Sequence, residues 1–171
     1  SISTAKTYLK TNFYDSMCGK KTDATIACLP QTHIDVAWLW DYDITKEKTE
    51  RSFTTVLKLM EDYPEYKFFS STPQLYEYLK ERNPDTYQRV KNRIKEGRWE
   101  AEGAMWVESD TNLPGGESLV IQLLYGKKFF KDEFKVNSHI LWLPDCFGYS
   151  GNLPQILTRS GVDAFLSTKL G

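Results

Sequence analysis

His33 and Asp35 stand two residues apart, just after the short apolar run Ala24–Pro30 (ATIACLP). On extended backbone, residues two apart project to the same face. An imidazole nitrogen and a carboxylate oxygen converging there can hold a divalent ion. Mixed nitrogen and oxygen ligands suit Zn2+ best, other first-row metals being the alternative. A third ligand has to come from another strand end. Asp145, directly after Ser138–Pro144 (SHILWLP), is the candidate. The competing reading has His33 hydrogen-bonded to a neighbour and Asp35 capping the turn that follows. His139, the other of the two histidines, lies six residues before Asp145. On a regular strand that is roughly 20 Å, at about 3.3 Å per residue, so His139 reads as structural.

Other side chains gather at the same predicted edge. Cys146, beside Asp145, would need a histidine base and a lowered pKa to act as a nucleophile, and His33 is its one plausible partner. Trp38, Trp106 and Phe147 could form a platform for the apolar C–H faces of a sugar ring, or serve as core. Glu108 and Asp110 could act as acids or bind hydroxyls; capping a loop is the alternative. Asp41 and Asp43 read as charges at a helix N-terminus.

The elements that must position these residues follow from periodicity and punctuation. Ser3–Met17 is weakly helical, and residues 1–22 read as a leading extension. Phe53, Val56, Leu57 and Met60 fall at i, i+3, i+4, i+7, which predicts a helix over Thr45–Tyr63 stopped by Pro64. Lys67–Ser70 reads as a strand. Thr72-Pro73 and Asn83-Pro84 each open a helix, with the polar residue as cap and proline at the first helical position. Tyr87, Val90 and Ile94 give the second of these its apolar face, and Gly97 ends it. Arg98–Val107 contains a third strand and Leu113–Gly116 a loop. Ser118–Phe134 is a helix, Ser138–Pro144 a strand and Gly151–Ser160 a short helix closed by Gly161. Val162–Thr168 is the last strand. The order βαβαβαβαβ predicts an α/β fold with a parallel sheet and right-handed crossovers. An open sheet and part of a barrel are both compatible with it. In either, ligands bind at the carboxyl ends of the strands, where His33, Glu108 and Asp145 stand.

Composition removes other classes. The chain has 171 residues, 40% hydrophobic and 26% charged, which excludes a disordered chain. Its net charge of −1 gives no electrostatic case for a nucleic acid or a membrane surface as partner. No GxGxxG or Walker pattern is present. No apolar run approaches the roughly 18 residues of a membrane span. Nor does an apolar stretch follow Lys6 and Lys10 as in a signal peptide. Three cysteines without a CxxC pair point to a reducing compartment, hence the cytoplasm.

Three blocks carry a resemblance. His33-Ile-Asp35-Val-Ala-Trp38-Leu-Trp40, Gly103-Ala-Met-Trp106-Val-Glu108-Ser-Asp110 and Trp142-Leu-Pro-Asp145-Cys-Phe-Gly148-Tyr-Ser150 resemble, in order, the catalytic domain of family 38 α-mannosidases. The likeness is closer to the cytosolic and bacterial branch than to the Golgi branch, and it runs from about residue 24 to the end. The block from Gly161 to Leu170 is similar to the family's next strand. The resemblance implies that residues 23–171 are the leading part of a seven-stranded, barrel-like β/α glycosidase domain. It implies a retaining exo-α-mannosidase with one zinc ion, acting on terminal α-mannosyl residues of oligosaccharides. His33 and Asp35 would bind the metal, Asp145 would be both ligand and nucleophile, and Trp38 would lie beneath the terminal sugar. In the family the general acid and the last histidine ligand come from motifs further downstream. The partner is then the downstream part of the same polypeptide, a homo-oligomer being the other assembly considered, and the 171 residues alone are expected to be inactive. A zinc deacetylase on a similar barrel is the competing enzyme class, but it normally uses a second pair of histidines. A carbohydrate-binding module without chemistry is the third reading, and its binding would survive a chelator.

Overall fold

Asp41 starts the long helix of the chain: its Oδ1 accepts the backbone N–H of Ile44 at 3.0 Å. The helix begins three residues before the predicted Thr45 because this cap, with Asp43 in the first turn, satisfies its N-terminal donors. The computed structural model describes residues 1–18 and 26–170. Along it run α1 (Ile2–Leu9), a π-helical stretch (Lys10–Cys18), α2 (Tyr42–Asp62) and β1 (Phe68–Ser70). Then follow α3 (Pro73–Arg82), α4 (Pro84–Lys95), β2 (Trp99–Ala101) and α5 (Gly116–Phe129). A π-helical turn (Phe130–Phe134), β3 (Ile140–Trp142), α6 (Leu153–Arg159) and β4 (Ala164–Leu166) complete the order. Neither α1 nor its π-helical continuation buries a residue, so this leading segment is helical and exposed. The expected boundary at 22/23 and the start of the expected strand Ala24–Pro30 lie outside the described residues.

The strands pair in parallel but are short. β1 pairs with β2 from Phe68↔Trp99 to Ser70↔Ala101, and β3 with β4 from Ile140↔Ala164 to Trp142↔Leu166. The described part of the expected first strand, residues 26–30, forms no strand; a single parallel bridge, Gln31↔Phe69, lies one residue beyond it. The chain is therefore a mixed helix-and-strand fold with short parallel strands. At the seam between β2 and β3, side chains stand where a ladder would run. The buried Glu102 Oε1 accepts from Ser138 Oγ (2.6 Å) and from the backbone N–H of His139 (2.8 Å) and Ile140 (2.9 Å). Ser138 Oγ in turn accepts from Gly103 N and Ala104 N. The Phe69 and Trp142 rings, 4.3 Å apart, close the same seam from β1.

Two apolar clusters hold the layers. In the first, Phe53 of α2, Phe68 of β1, Tyr76 of α3 and Trp99 of β2 meet. The Trp99 ring lies edge-on to Phe53 at 4.9 Å and to Phe68 at 4.7 Å. Its indole N–H donates to Tyr76 Oη, which donates to the carbonyl of Ser70. The buried polar groups of this cluster are thus satisfied at the end of β1. The second cluster joins Leu119 and Leu123 of α5 to Leu141 of β3 and Leu157 of α6. Burying side chains of this size contributes about 1.5–3 kcal/mol each, which is what fixes the strand ends.

Candidate active site

Ile34 is buried in the first cluster and Val36 packs against it. That alternation turns His33 and Asp35 together to the other side. His33 Nε2 lies 3.0 Å from Asp35 Oδ1 and 3.8 Å from Asp145 Oδ2. On the opposite side of the ring, His33 Nδ1 lies 3.0 Å from Glu108 Oε2. The Glu108 carboxylate raises the His33 pKa most; burial opposes it, Asp35 adds to it, and the net value is about 9. Asp145 is tied from a third direction: Lys169 Nζ sits 2.8 Å from its Oδ1. The ammonium holds the Asp145 carboxyl below the usual carboxylate range, with His33 adding to the effect.

The loop carrying Glu108 is set by α5. A Cβ on Gly126 would meet Ala104 O at 2.2 Å, so glycine lets the helix backbone lie against this loop. Gln122, one turn earlier, accepts Trp106 N through its carbonyl (3.0 Å) and Val107 N through its side chain (3.0 Å). Gly103 brings the loop equally close to β1: a Cβ there would meet Ser71 O at 2.5 Å. Glu108 then lies within reach of Ser71, whose hydroxyl donates to Glu108 Oε1 at 2.8 Å. His33, Asp35, Thr72 and Glu108 line a cleft of about 110 Å³.

The aromatic candidates divide. Trp38 is 69% exposed and Phe147 81% exposed, with Lys169 Nζ 4.9 Å from the Phe147 ring centroid. Trp106 instead packs against the first core, edge-on to Phe129 at 5.7 Å, and its indole donates to Gln74. Asp110 caps its own loop, Oδ1 accepting from Asn112 N (2.7 Å) and Leu113 N (2.9 Å). Cys146 is buried, its thiol donates to Ser109 O, and burial foremost pushes its pKa up to about 11. It is a protonated thiol at neutral pH, and the nucleophilic reading finds no support. His139 stands near Asp163 (4.0 Å) and Asn137 (3.2 Å).

A sequence profile described as glycosyl hydrolases family 38 N-terminal domain matches residues 23–171. The chain belongs to glycosyl hydrolase family 38. This family 38 segment is 45% identical over 138 residues to alpha-mannosidase G of Dictyostelium discoideum, covering 81% of the chain and 13% of that protein. It is 43% identical over 152 residues to human alpha-mannosidase 2C1, covering 89% of the chain and 15% of that protein. The chain thus spans about a seventh of the length of these relatives. Among solved structures, an alpha-mannosidase from Enterococcus faecalis V583 superposes with a TM-score of 0.74 at 22% identity. That superposition covers 81% of this chain and 16% of the other, and the likeness is one of fold.

His33, Asp35 and Asp145 bring nitrogen and oxygen donors together, with their charges paired to one another and to Lys169. Ligand atoms around a tetrahedral ion with bonds of about 2.0–2.1 Å stand about 3.3 Å apart. The separations from His33 Nε2 are 3.0 Å, a hydrogen bond to Asp35, and 3.8 Å to Asp145. A carboxylate is an ordinary zinc ligand beside histidine, so the donor types suit the ion. Among the described residues no group of three His, Cys, Asp or Glu side chains already closes to a metal site. The carboxylates turn instead on His33 and Lys169.

Sequence reasoning assigned no role to two residues at this site. Lys169 lies on the strand end after β4, where only charge beside a carboxylate marks it. Its reach depends on the pairing of the last two strand ends, made by Tyr149 Oη with Ser167 Oγ (2.5 Å) and by Thr168 Oγ1 donating to Pro144 O (2.6 Å). Ser71 is an ordinary serine after a strand, and only the close approach of Gly103 reveals its partner.

Proposed function

We propose that this chain is the leading part of the catalytic domain of a zinc-dependent, retaining exo-α-mannosidase acting on terminal α-mannosyl residues. The single observation that carries the reading is the convergence of His33 Nε2 with Asp35 and Asp145, the latter paired to Lys169. His33, Asp35 and Asp145 would hold the metal. When bound, zinc supplies Lewis acidity toward the 2- and 3-hydroxyls of the sugar and fixes its ring.

Asp145 is the nucleophile. Lys169 keeps its carboxylate ionised and engages Oδ1, which limits its rotation. The carboxylate attacks C1, the bond from C1 to the leaving oxygen breaks, and a general acid from another segment of the polypeptide protonates that oxygen. The deprotonated acid then takes a proton from water, whose oxygen attacks C1 of the glycosyl ester as the bond to Asp145 breaks, releasing mannose with its configuration retained and restoring both groups. Trp38 and Phe147 offer exposed apolar faces to the sugar's C–H surface. The free thiols of Cys18, Cys28 and Cys146 support a cytoplasmic, reducing location. Among the described residues no helix is long and apolar enough to cross a membrane.

Turnover of an aryl α-mannoside by the full-length polypeptide tests the reading. We expect Asp145→Asn to lower kcat at least about 10³-fold, and the isolated 171 residues to give no turnover. Unchanged turnover in Asp145→Asn would overturn it.

A further inference from the structure

We propose that Trp40 is a positioning residue that holds the exposed Trp38 ring still as an apolar face for the sugar. The proposal rests on the reading of Trp38 as a sugar platform. Trp38 stands three residues after Asp35, on the loop that leads into α2, and it is 69% exposed. A side chain so placed explores several rotamers and loses them when a ring docks on it, which weakens binding. The Trp38 ring meets that of Trp40, with centroids 5.9 Å apart and planes at 84°. This edge-to-face arrangement is one that aromatic pairs prefer.

Trp40 is itself fixed to α2 in two ways. Its indole N–H donates to Thr45 Oγ1 at 3.0 Å, and Thr45 is fully buried. The Thr45 hydroxyl proton in turn faces the carbonyls of Asp41 (3.2 Å) and Asp35 (3.4 Å). The side chain that anchors Trp40 thus ties down both ends of the loop carrying Trp38. Lys48, one turn further along α2, places Nζ 3.4 Å from the Trp40 ring centroid, a cation–π contact. Trp40 joins neither apolar cluster, so what these anchors hold is the loop and the Trp38 ring rather than the core.

The test is steady-state kinetics on an aryl α-mannoside, beside a calorimetric titration with free mannose, in the full-length polypeptide. Trp40→Leu is expected to raise KM about 3–10-fold and to weaken mannose binding alike, with kcat nearly unchanged. Trp40→Phe, which keeps an aromatic ring against Trp38, is expected to recover part of the affinity. In a Trp38→Ala background, Trp40→Leu is expected to add nothing, because it acts through the ring already removed. Lys48→Met keeps the packing of the stem and removes the cation. It is expected to raise KM about twofold where Trp38 is present and not where it is absent, and it decides the matter if Trp40→Leu does not fold. Wild-type KM in Trp40→Leu, or the same rise with and without Trp38, overturns the positioning role and leaves the platform standing if Trp38→Ala alone raises KM. Wild-type KM in Trp38→Ala overturns the platform and the positioning role together, with the mannosidase reading untouched. A wild type that neither turns over the mannoside nor binds mannose overturns all three.

Discussion

Lys169 Nζ lies 2.8 Å from Asp145 Oδ1, although the two residues sit on different strand ends, 24 positions apart in sequence. Asp145 follows β3 and Lys169 follows β4, so the parallel pairing of those strands brings the charges together. The pair is open to solvent, which screens it. Lys169→Ala should lower kcat/KM several-fold. Lys169→Arg should retain part of the activity, because the charge remains while its geometry changes. Steady-state kinetics on an aryl α-mannoside checks this; an alanine variant as active as wild type would contradict it.

Acid should attack the scaffold at Glu133. Burial alone would raise its pKa, but hydrogen bonds from Lys80 (2.8 Å), Lys91 (3.0 Å) and Tyr87 (2.8 Å) outweigh it and hold the group at about 2. A folded-state pKa below the ordinary 4.5 stabilises the fold fully above that pH. The contribution is then lost as pH falls from about 4.5 toward 2. Lys80 is partly exposed, so we expect Glu133→Gln to cost only about 1–2 kcal/mol at pH 7. Urea denaturation curves of variant and wild type should converge near pH 2. A difference that persists there would show that packing, not charge, is responsible.

Gly126→Ala should destabilise, against the ordinary helix preference. In an open helix interior, alanine is better than glycine by about 1 kcal/mol. Here the new methyl would meet the backbone of Ala104–Trp106 at 2.2–2.7 Å. Overpacking of this kind costs about 1–3 kcal/mol or more. It also displaces the loop that ends at Glu108, beside His33, so the melting temperature should fall. A rise in melting temperature would contradict the close crossing of α5.

The helices were largely legible because proline, asparagine and aspartate mark their starts and an apolar stripe marks their inner face. Phe53, Val56, Leu57 and Met60 are all buried as their spacing requires. The strands were less so. Their apolar runs show where a strand lies but not how far its ladder extends, and each of the four described strands is only three residues long. Glu102 illustrates why: a glutamate after a strand reads as surface, yet it accepts from three donors of the next strand's entry. At the site, His33 stood out as one of two histidines, and Asp35 and Asp145 by their places just past strand ends; the structure brings both carboxylates to His33 Nε2. The contacts of Glu108 and Lys169 were not legible, since a single carboxylate or ammonium acquires meaning only from a contact across the fold. Asp110 and Trp106 took the local alternatives, a loop cap and a core contact.

The most direct measurement is peptide mass spectrometry after incubating the zinc-loaded full-length polypeptide with a fluorinated α-mannosyl fluoride that slows release of the glycosyl-enzyme. The account predicts one added fluoromannosyl unit per chain, on the peptide carrying Asp145, and none in Asp145→Asn. A covalent label on a different carboxylate, or turnover with no label at all, would contradict Asp145 as the nucleophile.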